Sequence, residues 1–334
     1  MSTMQALLLN NHDEPFRLEK IARPVPGSGE VLVRILASAV NPLDTKIRAG
    51  KAAHARHGLP AILGVDLAGI VEEAGSGVSA FQRGDEVFGF TGGVGGIPGT
   101  LAEFAAVDAR LLARKPSNLT MRAAAALPLI FITAWEGLVD RVSLRPGQNV
   151  LVLGGGGGVG HMAIQIAIAM GVKVHAVASA SKADYVRSLG AISIDYAIES
   201  VEDYVAKHTG GRGFDVVYDT LGGKSLDTAF TAVTRFGHVV SCLGWGTHAL
   251  APLSFKSATY SGVFTLLPLL TGEGREHHGD ILREAARLAE SGELAPRLDS
   301  RVFTLANVAQ AHDLIERGQA DGKVVIDIEP SSVY

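Results

Sequence analysis

The chain has 334 residues, 47% of them hydrophobic, and this length exceeds the usual limit of a single hydrophobic core, which predicts two domains. Its 30 Lys and Arg residues against 34 Asp and Glu residues give a net charge of −4 without any basic stretch, so no nucleic-acid partner is expected. The one cysteine, Cys242, excludes an internal disulfide and a Cys-rich metal site, in keeping with a reducing, intracellular setting.

The N-terminal segment carries neither a basic region nor a long apolar stretch followed by a small-residue cleavage site. No apolar run approaches the length of a bilayer-spanning helix. We therefore expect a soluble, cytoplasmic protein without a membrane partner.

Short β-prone runs separated by glycine- and proline-containing turns occupy the first third of the chain and predict an irregular all-β domain. These runs span residues 5–9, 31–40, 65–73 and 85–90. The glycine-rich segment 91–100 is interpreted as a flexible lid or spacer, because no apolar helix follows it directly as a second phosphate loop would require.

From about residue 127 strands alternate with helices, a pattern that predicts a parallel sheet. The predicted helices are 134–142, one after a glycine turn near 155, 182–189, 278–290 and 305–316. The predicted strands are 150–153, 172–177, 192–195, 214–218, 238–243, 260–266, 301–304 and 323–327. Cys242 is expected to be a small buried residue of the strand at 238–243.

Three glycines between the strand at 150–153 and an apolar helical segment follow the spacing G-x-G-x-x-G. In this motif Gly155 permits the tight turn, Gly157 lacks the Cβ that would hit a pyrophosphate, and Gly160 lets helix and strand approach. The pyrophosphate then meets the free N–H groups of the first helical turn. The motif predicts a dinucleotide site, the alternative being a glycine loop that binds nothing.

The residues after the next predicted strand indicate which dinucleotide binds. An Asp or Glu about twenty residues past the motif would grip the ribose 2′-hydroxyl. Here the segment 178–182 reads Ala-Ser-Ala-Ser-Lys, so Ser179 and Lys182 offer donors to a 2′-phosphate. This predicts NADPH as the cofactor, unless Lys182 is simply a solvated lysine near a helix start.

Five further segments carry a family resemblance. They are AVNPLDTKIRAG at 39–50, GVDLAGIV at 64–71, GDEVFG at 84–89, FDVVYDTLGG at 214–223 and GKVV at 322–325. In this order they resemble the zinc-free quinone oxidoreductases of the medium-chain dehydrogenase/reductase superfamily, over almost the whole chain. The resemblance implies an α/β protein with a GroES-like, mostly β catalytic domain at 1–126 and 268–334. A doubly wound Rossmann domain at 127–267 would be inserted into it, with the active site in the cleft between them.

The resemblance also identifies what is missing. The three catalytic zinc-ligand positions of the related zinc alcohol dehydrogenases fall on Asn41, Val65 and about Leu129, and the four-cysteine structural zinc lobe is absent. A zinc site needs N, S or O ligands, so no metal is expected. Because alcohol oxidation relies on a Lewis acid, we expect hydride transfer from NADPH to an acceptor that is already electron-poor, a quinone or an α,β-unsaturated carbonyl.

Two other functions stay open. Related enoyl-thioester reductases carry a tyrosine just after the segment that ends at Gly50, whereas here Lys51 and two alanines follow. A non-catalytic, NADPH-binding role is the second alternative.

Three residues of the first motif are the catalytic candidates. Asn41 would donate its amide to the acceptor carbonyl or hold the nicotinamide, or it is only a turn residue before Pro42. Asp44 matches an acid retained in the family, with a purely structural role as the alternative. Lys46 matches the position of a relay histidine in the zinc alcohol dehydrogenases and would supply a proton or polarise a carbonyl oxygen, unless it is an ordinary exposed lysine.

Further cofactor contacts are predicted with the resemblance. Thr133 would bind the nicotinamide carboxamide, Tyr196 would lie against the adenosine phosphate, and Phe264 would lie near the nicotinamide. The remaining predicted contacts are Gly158, Val159, Thr220, Leu221, Leu243, Gly244 and Lys323. A homodimer is expected through the exposed edge strand at 260–266.

Overall fold

The computed structural model describes residues 2–12 and 14–328. They form two compact units, one containing the described residues up to Leu129 and from Leu266 onward, the other spanning Ile130–Thr265. The domain boundaries expected after residues 126 and 267 stay predictions.

The chain up to Leu129 is mainly β structure. Its strands are β1 (Thr3–Leu9), β2 (Arg17–Ala22), β3 (Glu30–Ala39), β4 (Ala61–Ile62), β5 (Asp66–Ala74), β6 (Glu86–Phe90), β7 (Phe104–Asp108) and β8 (Leu112–Arg114). Its helices are α1 (Pro42–Arg48), α2 (Met121–Ala125) and α3 (Pro128–Trp135), the last of which runs into the second unit.

The second unit alternates strands and helices. The strands are β9 (Asn149–Leu153), β10 (Lys173–Ala178), β11 (Ile192–Asp195), β12 (Phe214–Asp219), β13 (Val233–Ser241) and β14 (Thr259–Gly262). The helices are α4 (Gly158–Ala169), α5 (Ala183–Ser188), α6 (Val201–Thr209), α7 (Lys224–Ala232) and α8 (Ala251–Ser254). The strands form one parallel sheet in the order β11-β10-β9-β12-β13-β14, which confirms the predicted Rossmann-type parallel sheet.

The end of the chain returns to the first unit. Its elements are α9 (Leu267–Thr271), α10 (Arg275–Glu290), β15 (Phe303–Thr304), α11 (Val308–Glu316) and β16 (Val325–Asp327). Strand β16 joins a seven-stranded sheet of order β15-β16-β3-β5-β6-β8, in which β7 also pairs with β3. Strand β3 is buried along most of its length because it lies between these neighbours.

The helix predicted at 134–142 starts earlier and changes type. Helix α3 begins at Pro128, a residue favoured in the first helical turn, and a π-helical turn, Glu136–Arg141, follows it. Gly137 lies against the ring of Tyr218, where a Cβ would come within 2.7 Å of the ring carbon Cζ. The close approach of Tyr218 fits the local departure from α-helical geometry.

Several other sequence predictions need correction. Strand β13 starts at Val233 rather than 238 and ends at Ser241, so Cys242 is half-buried just beyond the strand. Strand β14 covers only Thr259–Gly262 of the predicted 260–266.

The segment 91–100 is packed rather than a flexible lid. The N–H of Gly95 donates to Ala55 O at 2.8 Å, and that of Gly99 donates to Ile62 O at 2.9 Å. Val94 is fully buried, and a Cβ on Gly92 would lie 2.1 Å from Pro98 O. The glycines of this segment therefore permit close backbone contact.

Among residues 2–12 and 14–328, no helix combines the length and the apolar character needed to cross a bilayer.

Candidate functional site

The glycine-rich loop of the second unit connects β9 to α4. The N–H groups of Gly154 and Gly155 both donate to Val177 O, at 3.1 and 3.0 Å, which joins the loop to the end of β10. Gly157 is the N-cap residue of α4, so the first-turn N–H groups of this helix have no intrahelical acceptor. The loop thus presents a helix N-terminus at the carboxyl ends of two neighbouring parallel strands.

The glycines of the loop are explained by different steric contacts. Gly154 has a φ of +82°, so the tight turn assigned to Gly155 belongs to Gly154 instead. Gly155 permits close packing, because a Cβ there would lie 2.6 Å from Ala176 Cβ. A Cβ on Gly160 would lie 2.1 Å from Gly154 O, whereas one on Gly157 would meet only that oxygen at 3.3 Å. Gly160 therefore fixes the approach of helix to loop, and Gly157 leaves space beside the helix end.

A cavity of about 610 Å³ lies against this loop within the second unit. It is lined by Gly154, Gly156 and Gly157, by residues after β10 and β11, and by the first turns of α6 and α7. The predicted contacts Ser179, Lys182, Tyr196 and Leu221 all line it.

Hydroxyl groups and a lysine mark the end of β10 beside the cavity. Ser179 Oγ lies 3.0 Å from Ser181 Oγ, and a Cβ on Gly156 would lie 2.9 Å from Lys182 Cβ. The cavity also contains an acid that the sequence reasoning missed, Glu199, whose carboxylate accepts from Lys207 Nζ at 2.9 Å. This ion pair offsets the negative charge of Glu199.

Buried Asp219 at the end of β12 organises the neighbouring loops and was not predicted. Its carboxylate accepts from the N–H groups of Leu221 and Gly222 and from Ser241 Oγ. In the sequence, the sign of this role is an aspartate at the end of the mostly buried strand Phe214–Asp219.

The same region contains three more predicted contacts. Thr220 Oγ1 donates to Leu153 O at 2.7 Å, and Leu243 N donates to Ser241 Oγ at 3.1 Å. A Cβ on Gly244 would lie 2.0 Å from the hydroxyl oxygen of Tyr260, so a larger residue there would displace the end of this side chain.

The remaining predicted contacts of this unit lie in three other places. Buried Thr133 has its Oγ1 3.1 Å from Thr265 Oγ1, and its carbonyl accepts from Tyr218 Oη at 2.7 Å. Phe264 packs edge-on against Trp245, with ring centroids 6.0 Å apart. Gly158 and Val159 form the first turn of α4.

A second polar site lies in the first unit. Its members are the buried side chains Asn41, Asp44, Asp66 and Lys323. The register of the sheet explains the meeting of distant residues, since Ala39 on β3 pairs with Asp66 on β5 and with Val325 on β16. Asp66 was present in a recognised motif but carried no predicted role.

The hydrogen bonds of this cluster centre on Asn41. Its Nδ2 donates to Asp66 Oδ2 at 2.8 Å, and its Oδ1 accepts from Lys323 Nζ at 2.5 Å. Lys323 also donates to Val40 O at 3.2 Å and lies 3.7 Å from Asp66 Oδ2. The other oxygen of Asp66 accepts from Leu129 N at 2.9 Å. The Asn41 amide is therefore held between a carboxylate and an ammonium group.

Asp44 sits beside this amide on α1. Its Oδ2 accepts from Asn41 N at 2.7 Å, and its buried Oδ1 has no hydrogen-bond partner among the described residues. Burial raises the pKa of Asp44 to about 7, and the carboxylate of Asp66 adds to the rise. Burial also raises the pKa of Asp66 and lowers that of Lys323, while the attraction between the two opposes both shifts. At neutral pH Asp44 therefore keeps a proton in part of the molecules, whereas an exposed aspartate is ionised.

Lys46 is not part of the cluster. It lies on the exposed face of α1, whereas Asp44, Thr45 and Ile47 of the same helix are buried. Its positive charge helps to lower the pKa of His54, after the effect of burial.

Two of the three positions that match zinc ligands carry no metal-binding side chain. Val65 is fully buried and Leu129 uses its backbone N–H to bind Asp66. Within residues 2–12 and 14–328, no group of three or more His, Cys, Asp or Glu side chains is arranged to hold a metal ion.

Two family models match the chain. The model described as "Alcohol dehydrogenase GroES-like domain" matches residues 27–117, and the one described as "Zinc-binding dehydrogenase" matches residues 189–326.

Individual relatives resemble the chain over most of its length. The NADPH-dependent alkenal/one oxidoreductase of Arabidopsis thaliana, a chloroplastic protein, is 37% identical, over 89% of this chain and 72% of its own sequence. The human quinone oxidoreductase is 30% identical, over 92% of this chain and 91% of its own. The crystal structure of an alcohol dehydrogenase superfamily protein from Novosphingobium aromaticivorans is 60% identical, over 98% of this chain and 100% of that one, with a TM-score of 0.96. Together with the two-unit fold and its parallel sheet, these similarities establish that the chain belongs to the zinc-free quinone oxidoreductase branch of the medium-chain dehydrogenase/reductase superfamily.

Proposed function

We propose that this protein is an NADPH-dependent oxidoreductase that transfers hydride to a quinone or an α,β-unsaturated carbonyl without a metal ion. The observation that carries the proposal is the Asn41 amide, fixed by Asp66 and Lys323 at a position where zinc-dependent relatives place a metal ligand. A hydrogen-bond donor suits acceptors that need their oxygen stabilised but need no Lewis acid to ionise an alcohol. The names of the Arabidopsis and human relatives support this substrate class.

The cavity of the second unit fits the dinucleotide. Gly157 leaves open the space that a Cβ would occupy, and the α4 N-terminus offers N–H groups to a pyrophosphate. Ser179 and Lys182 would bind the 2′-phosphate, and Tyr196 would lie against the adenosine end. When bound, NADPH supplies the hydride.

Further contacts with the nicotinamide end are proposed from the same unit. Thr133 would bind the carboxamide and Phe264 would lie near the ring. The sequence also assigned cofactor contacts to Thr220, Leu221, Leu243, Gly244 and, in the first unit, Lys323, and these stay predictions.

The residues of the first unit would handle the acceptor's oxygen and proton. Asn41 would donate its amide hydrogen to the negative charge that develops on the carbonyl oxygen. Asp44 would organise the site and retain a proton near neutral pH, because burial raises its pKa to about 7. Lys46, exposed on α1, remains the candidate for delivering a proton to the reduced product.

A homodimer in the cytoplasm is the proposed state of the protein. Among the described residues β14 is the last strand of its sheet, so one of its edges could pair with the same strand of a second copy. Light scattering at micromolar concentration tests the assembly, and a monomer mass would contradict it. Cell fractionation tests the location.

The proposed activity is tested by following NADPH consumption with three acceptors: 1,2-naphthoquinone, a simple enone and crotonyl-CoA. Turnover of the quinone or the enone is the expected result. Preferential turnover of crotonyl-CoA would indicate an enoyl-thioester reductase, and NADPH binding without turnover would indicate a non-catalytic role.

A further inference from the structure

The side chain of Asn41 has more partners than a helix cap alone provides. Asn41 is the N-cap residue of α1, where an asparagine commonly accepts a hydrogen bond from a first-turn N–H through its side-chain oxygen. It forms a capping box with Asp44, whose Oδ2 accepts from Asn41 N at 2.7 Å. In addition, Oδ1 accepts from Lys323 and Nδ2 donates to Asp66, two bonds that the cap does not require. The amide is therefore held by two charged side chains from outside the helix.

The charges around this amide determine its orientation. A carboxamide has one donor end and one acceptor end. Turned over, it would place Oδ1 against the Asp66 carboxylate and Nδ2 against the Lys323 ammonium, and both contacts would become repulsive. All three groups are buried, so water cannot compensate for either contact.

We propose that Asp66 and Lys323 are positioning residues that hold the Asn41 side chain in the one orientation in which it offers a ligand an N–H donor. Nδ2 carries two hydrogens, and among the described residues only Asp66 accepts from it, so one hydrogen remains for a ligand oxygen. A hydrogen-bond donor at this point suits the carbonyl oxygen of a hydride acceptor, because that oxygen gains negative charge. This inference rests on the proposed function, in which Asn41 binds that oxygen.

The substitution Asp66→Asn tests the proposal with little change in shape. The new side-chain oxygen can still accept from Leu129 N, but its NH₂ group then faces Asn41 Nδ2 and removes the acceptor that fixes the amide. We expect kcat/KM for an enone to fall by about tenfold or more, with the loss mainly in kcat and NADPH affinity changed by less than a few-fold.

A double-mutant cycle separates positioning from a general structural role. If Asp66 acts through Asn41, Asp66→Asn should change enone reduction by less than about twofold in an Asn41→Ala background. An equal loss in both backgrounds would overturn the proposal, and so would wild-type kinetics in Asp66→Asn when Asn41→Ala itself loses activity. Asp299→Asn is the matched control: Asp299 is a buried aspartate of the same unit, and its side chain binds Arg301 and Asp321 N rather than the cluster. It contacts Lys323 through its backbone N–H, which donates to Lys323 O and is kept in the variant. Asp299→Asn should leave enone kinetics unchanged.

A measurement without turnover distinguishes failure of this inference from failure of the proposed function. In ¹⁵N-labelled protein, the side-chain amide signals of Asn41, assigned by their loss in Asn41→Ala, should show one strongly shifted proton from the bond to Asp66. Asp66→Asn and Lys323→Gln should each move these signals, whereas Asp299→Asn should not. Unmoved signals would overturn the positioning role even if the enzyme reduces enones. Moved signals together with wild-type enone rates in Asn41→Ala would uphold the positioning and reject the catalytic role of Asn41.

Discussion

The two sites of this protein are constructed in different ways. In the second unit the site is mostly backbone, with a loop of glycines at 154–158 and 160 bringing a helix N-terminus to a cavity. In the first unit the site is made of side chains, Asn41, Asp66 and Lys323, that come from three separated segments. A backbone site depends on the absence of side chains at fixed short spacings, while a side-chain site depends on the register of long-range strand pairs. Mutations should therefore affect the two sites in different ways.

The largest effect is expected at the backbone site. In Gly160→Ala the new Cβ would lie 2.1 Å from Gly154 O, so the loop must move away from α4. We expect NADPH affinity to fall by about 100-fold or more, because the loop N–H groups no longer converge on the phosphates. Fluorescence titration with NADPH measures the loss.

The matched control is Gly58→Ala, at a glycine where a Cβ would meet nothing within 4 Å. It should bind NADPH as the wild type does. Retained affinity in Gly160→Ala would show that the loop does not form the nucleotide site.

At the side-chain site, Asn41→Ala should reduce catalysis and spare cofactor binding. We expect kcat/KM for an enone to fall by on the order of 10²-fold, the usual cost of a lost oxyanion donor, and by less for a quinone. A reduced quinone anion is stabilised by resonance and takes its protons from water, so it needs less stabilisation by the Asn41 amide. Lys46→Met should also reduce kcat/KM for an enone more than for a quinone. Both losses should be smaller than in Asn41→Ala, because Lys46 is exposed. Loss of NADPH affinity in place of kcat/KM would move Asn41 to the cofactor site.

A third variant tests the 2′-phosphate contact. Lys182→Ala should weaken NADPH binding by roughly 1.5–3 kcal/mol, the usual value of a charge-assisted hydrogen bond, and leave NADH binding nearly unchanged. Arg187→Ala removes a cation of the neighbouring helix α5 that pairs with Asp184 and does not line the cavity. This control should leave both affinities unchanged, and equal losses for both cofactors in Lys182→Ala would assign Lys182 a role in folding.

The contrast between the sites also explains what the sequence could predict. The parallel sheet and the glycine loop follow from local patterns, an apolar strand, glycines at set spacing and an apolar helix, so both were recognised. The reassignment of the turn from Gly155 to Gly154 needed backbone angles, because five consecutive glycines allow more than one register. Helix α6 was missed although Ser200 and Asp203 exchange capping bonds and Gly210 ends the helix. Val201, Tyr204 and Val205 follow helical spacing, so the signal was present in the sequence.

The cluster around Asn41 was only partly predictable. Asn41 and Asp44 are three residues apart, and a motif contains both. Asp66 and Lys323 reach Asn41 only through the pairing of β3 with β5 and β16, which no local pattern encodes. Lys46 follows closely in the same motif, yet the helical rotation places it on the exposed face.

The pH dependence of stability probes the buried site. The folded pKa of Asp44 is raised to about 7, above the value of about 4 in an unfolded chain. Between these values the unfolded state releases a proton that the folded state keeps, so this group makes the protein less stable as pH rises from about 4 to about 7.

Asp44→Asn should remove this slope. Relative to the wild type, the free energy of unfolding of the variant should increase by on the order of 1 kcal/mol or more over that range, as measured by urea denaturation at several pH values. Buried His175 has its pKa lowered to about 4 and contributes the opposite slope, but it is present in both proteins and cancels in the difference. A pH-independent difference would mean that Asp44 is ionised throughout.

The smallest effect is expected from metal removal. Unchanged activity after this treatment is the informative result. At the positions matching zinc ligands, Val65 has no donor atom, Leu129 offers only backbone, and the Asn41 amide is already bound to Asp66 and Lys323. A divalent ion near Asn41 would have to displace the Lys323 ammonium, which already provides the positive charge there. Dialysis against a chelator should therefore leave NADPH-dependent enone reduction unchanged, and elemental analysis should find no stoichiometric zinc before or after. One tightly held zinc per chain, with activity that disappears on its removal and returns on its addition, would place a metal at the site and make the Asn41 amide a ligand rather than an oxyanion donor.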